Sequence, residues 1–185
     1  GYAHSAMFRA TENGVSIIRY VNGNGKEIFV PQTGPPTLEI NRFTAFPDGY
    51  PNSTPLVEKA VISEICYDPF IGGNEYIEIA NISDGVLPLY DTTSLQQGGD
   101  PNNNWKLDGV TFSFPGVRPT LQKDERVLII PKGVSVDQFK INYLVPDSVR
   151  VFGGDDGYEG ALNNAGEEIV LLRPDKPDFV VGQGI

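Results

Sequence analysis

Between Val61 and Ser83 the chain reads VISEICYDPFIGGNEYIEIANIS, and this stretch limits the possible folds more than any other. Two runs rich in β-branched and aromatic residues, VISEICY and EYIEIANI, flank a connector, DPFIGGN, made of turn formers. Pro69 fixes one backbone angle and removes a ladder donor, and Gly72–Gly73 are expected to supply the positive φ of a tight reversal. Ile77 and Ile79 alternate with Tyr76, Glu78 and Ala80, which predicts one dry and one wet face on the second strand. The stretch therefore reads as a β-hairpin at the centre of a sheet.

The remainder repeats that theme with short strands and frequent turns. GVSIIRYV and KEIFV flank NGNG (Asn22–Gly25), which predicts a hairpin closed by a two-residue turn. Pro31–Pro55 carries six prolines and is expected to be a semi-rigid linker or wrapping loop, with TLEINRF as its one extended piece. The domain boundary falls in it, giving residues 1–55 as hairpin plus linker and 56–185 as the main domain. Downstream, GVLPLYD reads as an edge strand because Pro88 cannot donate to a ladder. Leu95–Asn104 is a polar loop. In VTFSFP, Val110, Phe112 and Phe114 share one face at period two. ERVLIIP is apolar enough to be covered on both sides. VDQFKI offers at most one helical turn, VRVFGG returns to strand, EEIVLLRP is the last strong strand, and DKPDFVVGQGI holds an extended FVV without a partner. With no convincing helix and no alternation of strand and helix, the expected fold is all-β, an antiparallel β-sandwich of two sheets.

Composition narrows the function. A chain of 185 residues has room for one ordinary domain and a little more, and its core needs no disulfide. Glycine (21) and proline (15) are spread between apolar runs, which suits turns rather than disorder. The net charge of −10 and the scattering of Lys and Arg argue against nucleic acid, whose phosphates require clustered cations. No apolar run has the length of a membrane span. Gly1 rather than Met opens the chain, so a processed piece of a longer protein is expected, with any secretion signal lying outside it. Cys66 is the single cysteine; it excludes an intrachain disulfide and is expected to be a small buried hydrophobe, a usage compatible with export.

Several residues could carry chemistry. Glu64, Glu75 and Glu78 lie on the central hairpin, and a glycosidase would need two such carboxyl groups facing a sugar-sized cleft. The pattern fits structure better: Glu78 as a cross-strand partner of Lys or Arg, and Glu64 beside a β-bulge that breaks the alternation between Ile62 and Ile65. Asp100, Asp155, Asp156 and Glu159 are the oxygen ligands calcium prefers, but neither loop has the spacing of a twelve-residue calcium loop, and Asp and Asn are also turn formers. FGGDDG lacks the lysine and following helix of a phosphate loop. His4 is the only histidine, which leaves no multi-histidine metal site and a poor basis for a serine triad. Trp105 with Tyr67, Tyr76, Tyr90 and Tyr158 could form a stacking platform, although Trp105 reads as a core plug.

The segments VISEICYDP, NEYIEIANIS, WKLDGVTFSFP, ERVLII and ALNNAGEEIVLL, in that order, resemble the lamin-tail domain over about Val61–Pro174. The bacterial, exported form of that family is the nearer likeness. The resemblance implies an immunoglobulin-like sandwich without catalytic residues or cofactor, located outside the cell or on its surface. Its partners would be neighbouring modules of the same polypeptide or surface proteins, with edge-strand pairing to another copy as one form of contact. Members of the family usually continue beyond the GEEIVLL strand, whereas here Asn13–Gln32 looks like a closing piece placed in front. It could end a preceding module, fold back in a permuted order, or complete another copy. The function expected is a spacer, adhesion or protein-docking unit; the alternative is a carbohydrate- or calcium-dependent binding module, with Tyr76, Glu78, Tyr90 and Tyr158 as candidate contacts.

Overall fold

The computed structural model describes residues 17–22, 25–31 and 59–174. The opening residues with His4, the linker beyond Pro31 with TLEINRF, and the FVV tail lie outside them. The chain divides into two compact units, Gly1–Glu58 and Lys59–Ile185.

In the first unit, β1 (Ile17–Val21) and β2 (Glu27–Pro31) form an antiparallel pair, from Ile17 opposite Pro31 to Val21 opposite Glu27. The reversal is longer than the expected two-residue turn. The Asn22 amide donates to the Lys26 carbonyl and the Gly25 amide to the Asn22 carbonyl. The Asn22 side chain accepts from the Lys26 amide, and Gly25 takes the left-handed conformation. Arg19 pairs with Glu27 across the ladder.

The second unit is built on the central hairpin. β3 (Ala60–Cys66) and β4 (Tyr76–Asn81) are antiparallel, and the register slips between Ile62 and Glu64, so the bulge expected there is present with Ser63 as the extra residue. Of the two connector glycines only Gly72 has positive φ. Gly73 serves a different need, since a Cβ there would lie 2.6 Å from the Tyr143 hydroxyl. β9 (Arg126–Lys132) pairs antiparallel with β4, and β10 (Arg150–Gly154) pairs parallel with β9, giving the order β10-β9-β4-β3.

That parallel pair corrects the expectation of a purely antiparallel fold without strand–helix alternation. Parallel neighbours need a crossover, and here it is α1 (Val136–Tyr143), two turns where at most one was expected. Ser135 caps it, accepting from the Gln138 amide, and Leu144 ends it in the left-handed conformation. Val136, Phe139 and Tyr143 fall on one side at i, i+3 and i+7 and belong to a buried cluster with Leu128 and Ile130 of β9.

Shorter strands complete the unit. β6 (Lys106–Asp108) lies between β7 (Phe112–Ser113) and β11 (Val170–Leu172), and β5 (Leu87–Pro88) pairs with β8 (Thr120–Leu121). The main core draws on both larger sheets: Ile77, Ile79, Val127 and Ile129 from the four-stranded one, Leu107 and Phe112 from the three-stranded one, with Trp105, Val110 and Phe114. β9 is covered on both faces, as its composition demands, with Val127 and Ile129 in this core and Leu128 and Ile130 beneath α1. The second face of β4 is not wet, because α1 covers it at Tyr76. The described chain is thus β-rich, with eleven strands and one α-helix. None of its helices is long and apolar enough to cross a membrane.

Candidate binding groove

The three glutamates of the central hairpin are each occupied. Glu64 accepts from the Tyr76 hydroxyl at 2.6 Å. Glu75 accepts from the Tyr158 hydroxyl and the Leu162 amide, both at 2.9 Å. Glu78 takes the Ser63 hydroxyl at 2.7 Å and the Arg126 guanidinium at 2.5 Å. Glu64 and Glu78 stand opposite each other in the ladder, yet each is directed to its own partner.

The aromatic candidates separate in the same way. Trp105 is buried in the core, as expected. Tyr158 is wholly buried and so cannot offer a contact surface; burial first, and then Glu75, hold its phenol well above the ordinary tyrosine range. Tyr76 is also not a surface platform. Its ring meets Phe139 and Tyr143 edge-on at 5.8 and 5.5 Å, and burial together with the bond to Glu64 raises its pKa strongly. Cys66 is half-buried rather than buried. Its thiol is pushed up by burial and by Glu64, Asp68 and Glu75, so the reactive thiolate is disfavoured.

Two of the four calcium candidates, Asp100 and Glu159, have local partners, while Asp155 and Asp156 are exposed. Asp100 accepts from the Asn102 amide at 2.9 Å in its own turn, and Glu159 pairs with Lys132 at 2.5 Å. The Lys132 bond holds the Glu159 carboxyl below its usual range. No group of three or more His, Cys, Asp or Glu among the described residues is placed to hold a metal. The glycines of FGGDDG answer to structure: a Cβ on Gly153 would lie 2.6 Å from the Ile130 side chain, and Gly154 takes positive φ.

Among the described residues a groove of about 270 Å³ is lined by Tyr90 to Leu95, Pro101 and Arg118. Its floor is organised by Asp91, a buried carboxylate whose two oxygens accept from the Thr93 amide at 2.8 Å and the Asp100 amide at 2.9 Å. Burial alone would raise this carboxyl's pKa, but those bonds and the Thr93 hydroxyl outweigh it and the pKa is lowered. Gly99 closes the loop, since a Cβ there would lie 2.1 Å from the Thr93 carbonyl oxygen.

Arg118 reaches the groove from the turn between β7 and β8, which is fastened on both sides. Asn104, itself buried, donates to the Phe114 and Gly116 carbonyls at 2.8 and 3.0 Å, leaving its own Oδ1 without a partner. The Leu89 amide donates to the Pro119 carbonyl at 2.8 Å. Between these anchors Arg118 is held at φ 53°. Comparison of the chain with family models, with curated proteins and with solved structures finds no match. The site must stand on its own geometry.

Of the sequence candidates, only Tyr90 lines the groove. Asp91, the hydroxyl run Thr92–Ser94 and Arg118 were not singled out from sequence. An Asp followed by Thr-Thr-Ser suggests an Asx turn, which was the available signal for Asp91. Nothing local marks Arg118, which arrives from another part of the chain.

Proposed function

We propose that Lys59–Pro174 is a non-catalytic module of a larger exported protein, an immunoglobulin-like sandwich of the lamin-tail kind that serves as a spacer, adhesion or docking unit. One observation carries this reading: each hairpin glutamate is tied to a structural partner, while the groove beside Asp91 contains polar side chains, Tyr90, Thr92 and Arg118, without partners among the described residues. Catalysis by a carboxylate pair needs both groups facing a shared cleft, and Glu64, Glu75 and Glu78 do not line the groove. The groove instead offers a polar surface on a loop stiffened by its own hydrogen bonds, which suits recognition.

Incubating the chain with glycoside, ester, phosphate and peptide substrates tests this reading. No turnover above a heat-denatured control is expected. Turnover that disappears in Glu64→Gln, Glu75→Gln or Glu78→Gln, with the fold retained, would make the protein an enzyme and end the proposal. Among the alternatives, carbohydrate binding is favoured by the aromatic and hydroxyl lining of the groove.

A further inference from the structure

We propose that the groove beside Asp91 binds a saccharide bearing a carboxylate, with Arg118 taking the carboxylate and Tyr90 and Thr92 taking sugar oxygens. This deepens the reading above and rests on it.

Arg19, Arg126 and Arg150 each pair with a glutamate, Glu27, Glu78 and Glu125. Arg118 has no ion pair or hydrogen bond among the described residues, although the protein carries 24 acidic side chains. The carboxylate nearest to hand in the groove, Asp91, is turned onto the Thr93 and Asp100 amides instead. A guanidinium forks onto a carboxylate with two parallel bonds, which makes it the natural reader of that group.

Arg118 adopts a left-handed conformation that glycine would take without strain. The residue is held there by the two anchored carbonyls on either side, at Gly116 and Pro119. Strain of this kind, kept at an exposed arginine in a groove, points from the outlier to a use.

The lining of the groove suits a sugar better than a peptide. A peptide is recognised largely through backbone donors and acceptors, but the loop's amides at Thr93, Gly98, Gly99 and Asp100 are already committed within the loop. What is uncommitted is side-chain: the Tyr90 and Thr92 hydroxyls make no hydrogen bond within the described residues. Hydroxyls beside an aromatic ring and one cation match a ring of hydroxyls with a single carboxylate. One arginine on a protein of net charge −10 does not suit a long polyanion such as nucleic acid, which needs many clustered cations, whereas it matches one uronate ring at a time.

The test titrates the full chain with trigalacturonate, with a neutral galactose trisaccharide and with an acidic hexapeptide, following amide shifts by NMR and the sugar by mass spectrometry. The expected result is saturable shifts at Thr92–Leu95 and Arg118 with trigalacturonate, and binding at least about tenfold weaker for the neutral sugar, as loss of a charged hydrogen bond implies. Arg118→Gly should unfold at the same or a higher temperature, because glycine suits φ 53°, yet lose binding about tenfold or more. Thr92→Ala should weaken it by a smaller factor. Equal binding of acidic and neutral sugars, no binding of either, or binding of the peptide alone would each overturn the proposal. Cleavage of bound trigalacturonate would instead overturn the non-catalytic reading beneath it.

Discussion

Gly157 lies where a Cβ would come within 2.6 Å of the Ile130 carbonyl oxygen and 2.7 Å of the Lys132 amide nitrogen. Both are backbone atoms of β9 and cannot swing aside, so Gly157→Ala is expected to lower stability by about 1–3 kcal/mol, read from urea unfolding. The approach is close because the chain around Tyr158 bonds directly to β9: the Tyr158 amide donates to the Ile130 carbonyl and the Lys132 amide to the Tyr158 carbonyl. Tyr158 itself sets a pH limit. Burial and Glu75 favour its neutral phenol in the folded state. The stability this contributes is fully present below the unfolded tyrosine value of about 10 and is lost as pH rises above it. Tyr158→Phe should therefore cost about 1–3 kcal/mol at neutral pH and flatten part of the fall in urea midpoint between pH 8 and 11. Tyr76 and Tyr143 are raised in the same direction, so some of the alkaline loss will persist. An unchanged pH profile in the variant would show that burial and Glu75 do not hold the Tyr158 phenol neutral in solution.

α1 is the element on which the four-stranded sheet depends beyond its own ladders. Its one wholly buried side chain, Phe139, fills the space over Leu128 and Ile130 and stacks on Tyr143 at 4.5 Å. Phe139→Ala is expected to cost about 3–5 kcal/mol. Amide exchange should speed up at Val151 of β10, whose side chain shares that cluster, before it does at Ile77 in the middle of the sheet. Uniform loss of protection would mean that helix and sheet unfold as one unit. The Ser135-x-x-Gln138 pattern that opens the helix is half of a capping box. The Gln138 amide bonds to Ser135, but its side chain turns to Asn142 at 2.8 Å instead of reaching back.

For the molecule as a whole, the two buried clusters among the described residues contain only residues from Ala60 onward, and Lys59–Ile185 forms a compact unit of its own. A chain of residues 59–185 is therefore expected to fold alone, with a cooperative calorimetric transition within about 5 °C of the full chain's, a shift of roughly 1 kcal/mol for a domain of this size. A fragment that fails to fold, or melts far lower, would show that residues 1–58 contribute to its stability.

The sequence alone determined the central hairpin, its bulge, the burial of Ile77 and Ile79, the shared face of Val110, Phe112 and Phe114, and the double coverage of Val127–Ile130. Each of these follows from the local order of apolar, polar and turn-forming residues: alternation, a break in it, or a continuous apolar run. Two features depended on the tertiary structure. The parallel seating of β10 on β9 was decided by α1, whose apolar stripe is only three residues long and gains its meaning from the Leu128 and Ile130 surface it covers. The groove was decided by Asn104 and Leu89, which bring the Arg118 turn to the Asp91 loop through contacts between residues far apart in the chain. Periodicity reports which face of an element is buried; which elements then meet depends on packing, and no local pattern encodes it.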